Sequence, residues 1–143
     1  MIVDASLVID VVADTGSRGD AARAALAAVP VTENLLAPGH FAFELMSGLG
    51  AAANRPNHPL QPADLATALQ AAAALEIMIE GTPWSDVDRA WILSQGSLRY
   101  ADAIYVAAAE RHGTALLTAD SQIERSGALI KCEIITIQPA AER

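Results

Sequence analysis

Four acidic side chains stand where they could act together on one ligand, and two of them follow predicted strands. Asp4 comes directly after the short apolar run Ile2–Val3, and Asp120 closely follows the apolar run Ala115–Thr118. Ligands of open α/β sheets bind at the carboxyl ends of the strands, so we expect both carboxylates at one sheet edge. The same two aspartates would also serve as helix N-caps after a strand, and the sequence leaves that alternative open.

The other two acids lie within apolar helical segments. Glu44 stands in HFAFELMSGL, and Asp102 stands in YADAIYVAAAE. A carboxylate buried among such neighbours costs several kcal/mol unless a partner offsets its charge. No Lys or Arg stands three or four residues from Glu44, and only Arg99 stands at that distance from Asp102. We therefore expect a cation from outside the chain, unless both acids face solvent on their helices.

The donor chemistry of these acids predicts a hard divalent cation. Carboxylate oxygens suit Mg²⁺ or Mn²⁺, whereas one Cys and three scattered His form no cluster for zinc or copper. Asp102 stands early in its predicted helix, where the helix N-terminus favours an ionised carboxylate by about 0.3–1 kcal/mol. A divalent ion can bridge such acids to a phosphate group. We expect Arg55, Arg89 and Arg99 to contact that phosphate; the alternative is that they are solvated or form ion pairs.

The elements that must position these acids alternate between strands and helices. Predicted strands cover Ile2–Val3, Leu35–Ala37, Ile77–Glu80, Ala115–Thr118 and Ile134–Ile137. Predicted helices cover Ser6 to about Asp14, Asp20–Val29, Gly39–Ala53, a segment opened by Pro62 and Asp64, Trp84–Leu93, Leu98–His112 after a Ser97 cap, and Ser121–Ser126. This alternation predicts an α/β fold, and the short apolar strands predict a mainly parallel sheet covered on both faces.

Length and charge narrow the class of protein. The chain has 143 residues, so we expect one domain over residues 1–143. The net charge of −8, with nine Lys and Arg, disfavours non-specific binding of long nucleic acid and suits a basic protein partner. No apolar run approaches the roughly 18 residues that span a membrane. The start MIVDAS lacks signal-peptide regions and Cys132 is the only cysteine, so we expect a cytoplasmic protein without membrane contact.

Four segments together resemble a known family. IVDASLVI, FELMSGL, YADAIYVAAAERHGTALLTAD and IITI, in this order, resemble the PIN domain and, within it, the VapC toxins of bacterial toxin–antitoxin pairs. The resemblance implies a three-layer α/β/α domain with a short central sheet. It also implies an endoribonuclease that hydrolyses RNA phosphodiester bonds with a metal-activated water, leaving a 5′-phosphate and a 3′-hydroxyl. The catalytic and metal-binding acids of the family fall on Asp4, Glu44, Asp102 and Asp120, and two hydroxyls that orient them fall on Ser6 and Thr118.

The resemblance further implies a Mg²⁺ cofactor for which Mn²⁺ substitutes, a homodimer, and a small VapB-like antitoxin. The antitoxin would wrap the toxin and place a basic residue, typically Arg, in the acidic pocket. Apolar candidates for its docking surface are Leu26, Val29, Leu45, Met46 and Leu49. We expect Trp84 and Trp91, seven residues apart on one helix, to be packing residues.

Three other classes of protein are alternatives to an active ribonuclease. A catalytically silent PIN-like module would bind RNA or protein without cutting it, although the intact acids disfavour this function. A receiver domain needs a lysine on its fifth strand, and the only lysine here is Lys131 near the C-terminus. A haloacid-dehalogenase-type phosphatase needs D-x-D after its first strand, where this chain reads Asp4-Ala-Ser6.

Overall fold

Five short apolar segments pair as parallel strands in the computed structural model, which describes residues 1–139. The strands are β1 (Ile2–Val3), β2 (Leu36–Pro38), β3 (Met78–Glu80), β4 (Leu116–Thr118) and β5 (Ile134–Thr136). They lie in the order β3-β2-β1-β4-β5, and every pairing between them is parallel. The predicted α/β class is confirmed, and the sheet that we expected to be mainly parallel is parallel at all five strands.

Seven helices connect these strands within the described part of the chain. They are α1 (Ala5–Ala13), α2 (Ser17–Ala28), α3 (Phe41–Ala53), α4 (Leu65–Ala73), α5 (Trp84–Leu93), α6 (Tyr100–His112) and α7 (Gln122–Arg125), with a 3₁₀ turn at Pro62–Asp64 before α4. None of these helices is long and apolar enough to cross a membrane.

The handedness of parallel connections assigns the helices to two layers. The chain runs from β1 outward to β2 and β3, and then returns past β1 to β4. Because crossovers between parallel strands are right-handed, the outward and return connections cover opposite faces of the sheet. Accordingly, α1 packs against α2, α3 and α4, whereas α6 packs against α5 and lies on β1, β2 and β4. This arrangement is the predicted three-layer α/β/α domain.

The core lies on both faces of the central strands. Ile2 and Val3 of β1 are fully buried, as is Leu116 of β4. Helix α6 is alanine-rich and buried along much of its length, including Tyr105 and Val106. A helix held this firmly between sheet and α5 gives the acid in its first turn a fixed position.

Helix α2 begins earlier than predicted. Gly16 and Gly19 suggested a break before Asp20, yet α2 begins at Ser17 and contains Gly19. The Asp14 carboxylate explains the difference, because its Oδ1 accepts hydrogen bonds from the backbone N–H groups of Gly16 and Gly19, at 2.8 and 3.0 Å. A side chain at Gly19 would collide with the Asp14 carbonyl, so the glycine permits the close contact between α1 and α2.

Helix α6 begins later than predicted, and Ser97 is not its cap. The Ser97 hydroxyl donates instead to the Ser126 carbonyl at 2.9 Å, which ties two loops together. Arg99 occupies the N-cap position in an extended backbone conformation, without a side-chain cap. Asp102 therefore lies in the first turn of α6, at the positive end of the helix dipole.

Candidate active site

The sheet order places Asp4 and Asp120 together. Strand β1 is the point at which the strand order reverses, since its connection leads to β2 on one side while β4 pairs with its other side. Asp4 directly follows β1, and Asp120 stands two residues after β4. The crevice outside the carboxyl ends of strands at such a reversal is where open α/β sheets bind ligands. The fold therefore puts both acids at its natural ligand site.

Asp4 is held by two hydroxyl groups at the bottom of this crevice. Thr118 Oγ1 donates to its Oδ2 at 2.6 Å, and Ser6 Oγ donates to the same oxygen at 2.9 Å. Ser6 Oγ also accepts the backbone N–H of Ala119 at 3.2 Å, which links the residue after β4 to the site. Ser6 and Thr118 thus both donate to one oxygen of Asp4 and fix the orientation of its carboxylate.

Burial raises the pKa of Asp4 to about 6, although the hydrogen bonds from Thr118 and Ser6 oppose the shift. The negative charge of Asp102 raises this pKa further, so the two carboxylates are close enough to repel each other. Only 4% of Asp4 is exposed, and Asp102 is equally buried. Two buried carboxylates in mutual repulsion make a site that a cation would stabilise.

Arg99 lies between Asp102 and Asp120. Its Nε donates to Asp102 Oδ2 at 2.9 Å, and its Nη2 contacts Asp102 Oδ1 at 3.3 Å and Asp120 Oδ2 at 3.2 Å. Hydrogen bonding to Asp102 raises the pKa of the Arg99 guanidinium, and the charges on Asp102, Asp120 and Glu44 raise it further. One guanidinium therefore joins the acid of α6 to the acid that follows β4.

Glu44 completes the acidic group from the side of α3. Its Oε1 is buried and has no hydrogen-bond partner among residues 1–139, although His40 Nε2 lies 3.4 Å away. The neighbouring Tyr105 has its pKa raised by burial and then by the charges of Asp4 and Glu44. Its hydroxyl therefore stays protonated while its oxygen accepts the backbone N–H of Ala5 at 3.4 Å. Charge interactions with one another, with Arg99 and with Tyr105 thus place the four predicted acids in one neighbourhood, which we call the acidic pocket (Asp4, Glu44, Asp102 and Asp120).

The donor set of the acidic pocket fits a hard divalent ion. All four acids offer carboxylate oxygens, and the buried Oε1 of Glu44 makes no hydrogen bond within residues 1–139. In the arrangement seen across residues 1–139, however, no three His, Cys, Asp or Glu side chains are close enough to hold a metal ion. The Arg99 guanidinium lies between two of the acids, so a bound ion requires a rearrangement at this side chain.

The structure separates the three arginines that we expected to contact phosphate. Arg99 is in the acidic pocket, but it contacts carboxylates. Arg55 follows α3, has no carboxylate partner within the described residues, and lines a cavity of about 240 Å³ to which Ser6 also contributes. Arg89 is placed differently, because it pairs with Glu110 at 2.9 Å and donates to the Leu129 carbonyl.

The expectation that Arg89 contacts substrate is therefore corrected. Glu110 stands eight residues after Asp102 on α6, which is about 12 Å along a helix. At that distance from Asp102, Arg89 holds α5, α6 and the loop at Leu129 together through its hydrogen bonds. The sequence could not reveal this pairing, because the two partners lie 21 residues apart.

Two further residues beside the acids, Tyr105 and His40, are not among the candidates of the sequence analysis. Tyr105 stands three residues after Asp102, on the same face of α6, so its helical spacing was the signal available. His40 stands four residues before Glu44, and its Nε2 also lies 3.0 Å from the Ala101 carbonyl. The two rings lie against each other with centroids 4.6 Å apart, and together they wall the pocket between α3 and α6.

The fold and the acidic pocket define an α/β protein whose ligand site lies at the reversal point of a parallel sheet. Comparisons with known proteins agree, since the PIN-domain family model matches residues 1–129. Ribonuclease VapC3 of Mycobacterium tuberculosis is 34% identical over 131 residues, covering 88% of this chain and 86% of that one. The chain belongs to the PIN-domain family, in its VapC group.

Solved structures with the same fold include two toxins. The first is Mycobacterium tuberculosis VapC20, a toxin that cleaves the sarcin–ricin loop; it has a TM-score of 0.66 and 18% identity, and the match covers 90% of this chain and 95% of that one. A toxin–antitoxin complex from Klebsiella pneumoniae has a TM-score of 0.67 and 21% identity, covering 97% and 98%.

Proposed function

We propose that this chain is an endoribonuclease toxin of a VapBC-type pair, acting as one domain with Mg²⁺, or with Mn²⁺ in its place. The observation that carries the proposal is the meeting of four carboxylates from separate elements at the reversal point of the sheet. Membership of the PIN-domain family and the identity to ribonuclease VapC3 support it. An RNA substrate and a single cysteine, Cys132, fit a reducing cytoplasm.

The residues in and around the acidic pocket would have different chemical roles. Asp4, Glu44, Asp102 and Asp120 would hold the divalent ion, which when bound activates water and neutralises charge on the phosphate. Ser6 and Thr118 fix the Asp4 carboxylate through the hydrogen bonds described above, so the ligand oxygens are preorganised. Tyr105 excludes water from the wall of the pocket, because its side chain is fully buried.

Substrate contact falls to the cations near the pocket. Arg55 is the best candidate within residues 1–139, since no carboxylate takes up its charge and its cavity is lined in part by Ser6, which donates to Asp4 of the acidic pocket. That cavity also contains the ion pair between Arg18 and Asp10, at 3.2 Å. A phosphate that reached the pocket would therefore meet Arg55 on the α3 side.

The central test is cleavage of total RNA by purified protein, with 5 mM Mg²⁺ or Mn²⁺ and with EDTA. We expect cleavage only with metal, because four carboxylates alone would repel the phosphate. The products should carry a 5′-phosphate and a 3′-hydroxyl. Asp102→Asn is the control for contaminating nuclease, and it should not cleave.

Two outcomes would contradict the proposal. A 2′,3′-cyclic phosphate on the products would show that the ribose hydroxyl, and not water, is the nucleophile. RNA that stays intact at every metal concentration, while the protein still binds it, would establish the catalytically silent module instead.

We also propose a homodimer formed through α5. Trp84 and Trp91, which we expected to be packing residues, are 81% and 58% exposed, and the neighbouring Ile92 is exposed as well. Trp91 stacks on the exposed ring of Tyr100, with centroids 6.2 Å apart. Aromatic side chains that lie together on a surface are typical of protein interfaces.

The mass of the protein in solution tests this interface. We expect light scattering to give twice the chain mass of 14.9 kDa for the wild type and a single chain mass for Trp91→Glu, because a buried charge opposes association. Val31→Glu is the matched control, since Val31 is fully exposed elsewhere. A monomeric wild type, or a dimer that survives Trp91→Glu, would contradict the proposal.

The antitoxin has a suitable docking surface on the opposite layer. Residues of α3, α4 and the segment around β3 enclose an apolar groove of about 200 Å³, which is lined by Phe41, Ala42, Leu45, Leu69, Ala72, Ala73, Ile77 and Ile79. Among the predicted docking residues, Leu45 and Leu49 are buried core, Leu26 and Val29 are half-buried, and Met46 is exposed. We propose that an amphipathic antitoxin segment occupies this groove and places a basic residue in the acidic pocket.

A further inference from the structure

The acidic pocket already contains a cation that belongs to the chain. Arg99 reaches Asp102 through two nitrogens and Asp120 through one of the same two, at 2.9 to 3.3 Å. The two acids come from different elements, the first turn of α6 and the segment after β4. A single guanidinium therefore supplies the positive charge that offsets these two carboxylates.

A bound divalent ion would compete with this contact for the same carboxylates. Mg²⁺ takes oxygen ligands at about 2.0–2.1 Å in a near-octahedral arrangement, so its carboxylates must close around one point. A guanidinium between Asp102 and Asp120 occupies that space and uses the oxygens of both acids. Consistent with this, no three ligand-type side chains lie within metal-binding reach of one another in the part of the chain described.

Arg99 is also free to leave. Its side chain is 65% exposed, whereas the side chain of Asp102 is only 5% exposed. Arg99 lies at the N-cap of α6 in an extended conformation and makes no side-chain cap bond, so its departure costs the helix no hydrogen bond. The buried partner is the acid, and the exposed partner, which has solvent to turn into, is the arginine.

We propose that Arg99 is a built-in counter-ion of the acidic pocket, which joins Asp102 to Asp120 in the metal-free protein and must release both before a divalent ion binds. The proposal rests on the metal site of the proposed function. Arg99 then opposes metal binding within the same chain, and its released guanidinium stands at the pocket edge, where phosphate arrives. This replaces direct phosphate contact as the role of Arg99 in the metal-free state.

Binding of Mn²⁺ alone, measured by calorimetry on EDTA-treated protein, tests the exchange. We expect Arg99→Gln to bind Mn²⁺ about tenfold more tightly than the wild type, a gain of about 1.4 kcal/mol, because the charge-assisted hydrogen bonds of Arg99 no longer need to be broken. Arg99→Lys keeps the charge but lacks the planar fork, so its affinity should fall between the two. Circular dichroism at the assay temperature establishes that each variant is folded.

A matched control distinguishes the loss of the Arg99 contact from the loss of one positive charge. Arg125 lies on α7, beyond Asp120, and its guanidinium bonds to Ser121. Arg125→Gln removes the same charge without touching the acids, so its Mn²⁺ affinity should equal that of the wild type. Equal affinities for wild type and Arg99→Gln, or an equal gain in Arg125→Gln, would overturn the role of Arg99.

Nuclear magnetic resonance of the arginine Nε–H groups observes the exchange directly. The Arg99 signal is identified by its absence from Arg99→Gln, and it should shift or broaden as Mg²⁺ saturates the wild type. A signal that stays unchanged at saturation would refute the exchange and leave the metal site intact. If neither the wild type nor Arg99→Gln binds Mn²⁺ or Mg²⁺, the metal site of the proposed function fails together with this inference.

Discussion

Asp4→Asn should leave the metal-free protein more stable than the wild type at pH 8, by about 2 kcal/mol, while RNA cleavage falls at least about a thousandfold. The gain follows from burial, which raises the pKa of Asp4 to about 6. Ionising this carboxylate inside the folded protein costs about 3 kcal/mol at 1.36 kcal/mol per pKa unit, and Asn avoids that cost. About 1 kcal/mol is returned, because the amide cannot accept every hydrogen bond that Ser6 and Thr118 donate.

The pH dependence has a definite sign. Asp4 has an ordinary pKa of 3.8 in the unfolded chain and a raised pKa in the folded one. Between these values the folded state binds more protons, so the stability of the wild type relative to Asp4→Asn falls as pH rises from about 4 to about 6. Below about pH 4 the difference should disappear or reverse. Urea unfolding in EDTA from pH 4 to pH 8 measures it.

Addition of Mg²⁺ provides the control for this prediction. The ion should stabilise the wild type at pH 8 and have little effect on Asp4→Asn, because the variant lacks one ligand charge. A wild type whose stability relative to Asp4→Asn does not change between pH 4 and pH 8 would contradict the prediction. The loss of cleavage is measured separately, on labelled RNA with excess metal.

Arg111→Met should destabilise the protein by about 3–5 kcal/mol, because it leaves a buried carboxylate without its partner. Arg111 Nε bonds to both carboxylate oxygens of Asp86 at 3.0 Å, and Asp86 is only 4% exposed. The same guanidinium also contacts Glu80 at the end of β3, so it joins α5, α6 and the sheet. Thermal unfolding should show a midpoint lower by roughly 10 °C.

Two further variants show whether the unpaired charge is the cause. Asp86→Asn combined with Arg111→Met should recover part of the loss, since no buried charge is then left uncompensated. Arg125→Met removes an arginine that pairs with no described carboxylate and should change stability by less than about 0.5 kcal/mol. An Arg111→Met protein as stable as Arg125→Met would refute the prediction.

The sequence predicted those features that depend on local pattern. Asp4 and Asp120 were placed correctly at strand ends because short apolar runs marked β1 and β4. Helix α5 has the predicted bounds Trp84–Leu93, since a proline before it and the apolar spacing within it define it locally. The order of the strands needed one further rule, the handedness of crossovers, to become an α/β/α domain.

Features that depend on pairing between residues far apart in the chain could not be predicted from the sequence. Arg99 and Arg89 look equivalent in the chain, yet one lies in the acidic pocket and the other holds Glu110. Apolar spacing likewise shows that a helix has an apolar face but not whether the fold covers that face. Trp84 is exposed for this reason, and Leu49 is buried although we considered it for docking.

The strand order also has a consequence for synthesis. Asp4 and its partner Thr118 stand 114 residues apart in the chain, and Asp120 lies further on, so a ribosome makes them at widely separated times. A growing polypeptide therefore carries no assembled cutting centre until β4 has joined β1. If the protein cleaves RNA as proposed, a ribosome that is translating it stays beside a harmless fragment until β4 has been made.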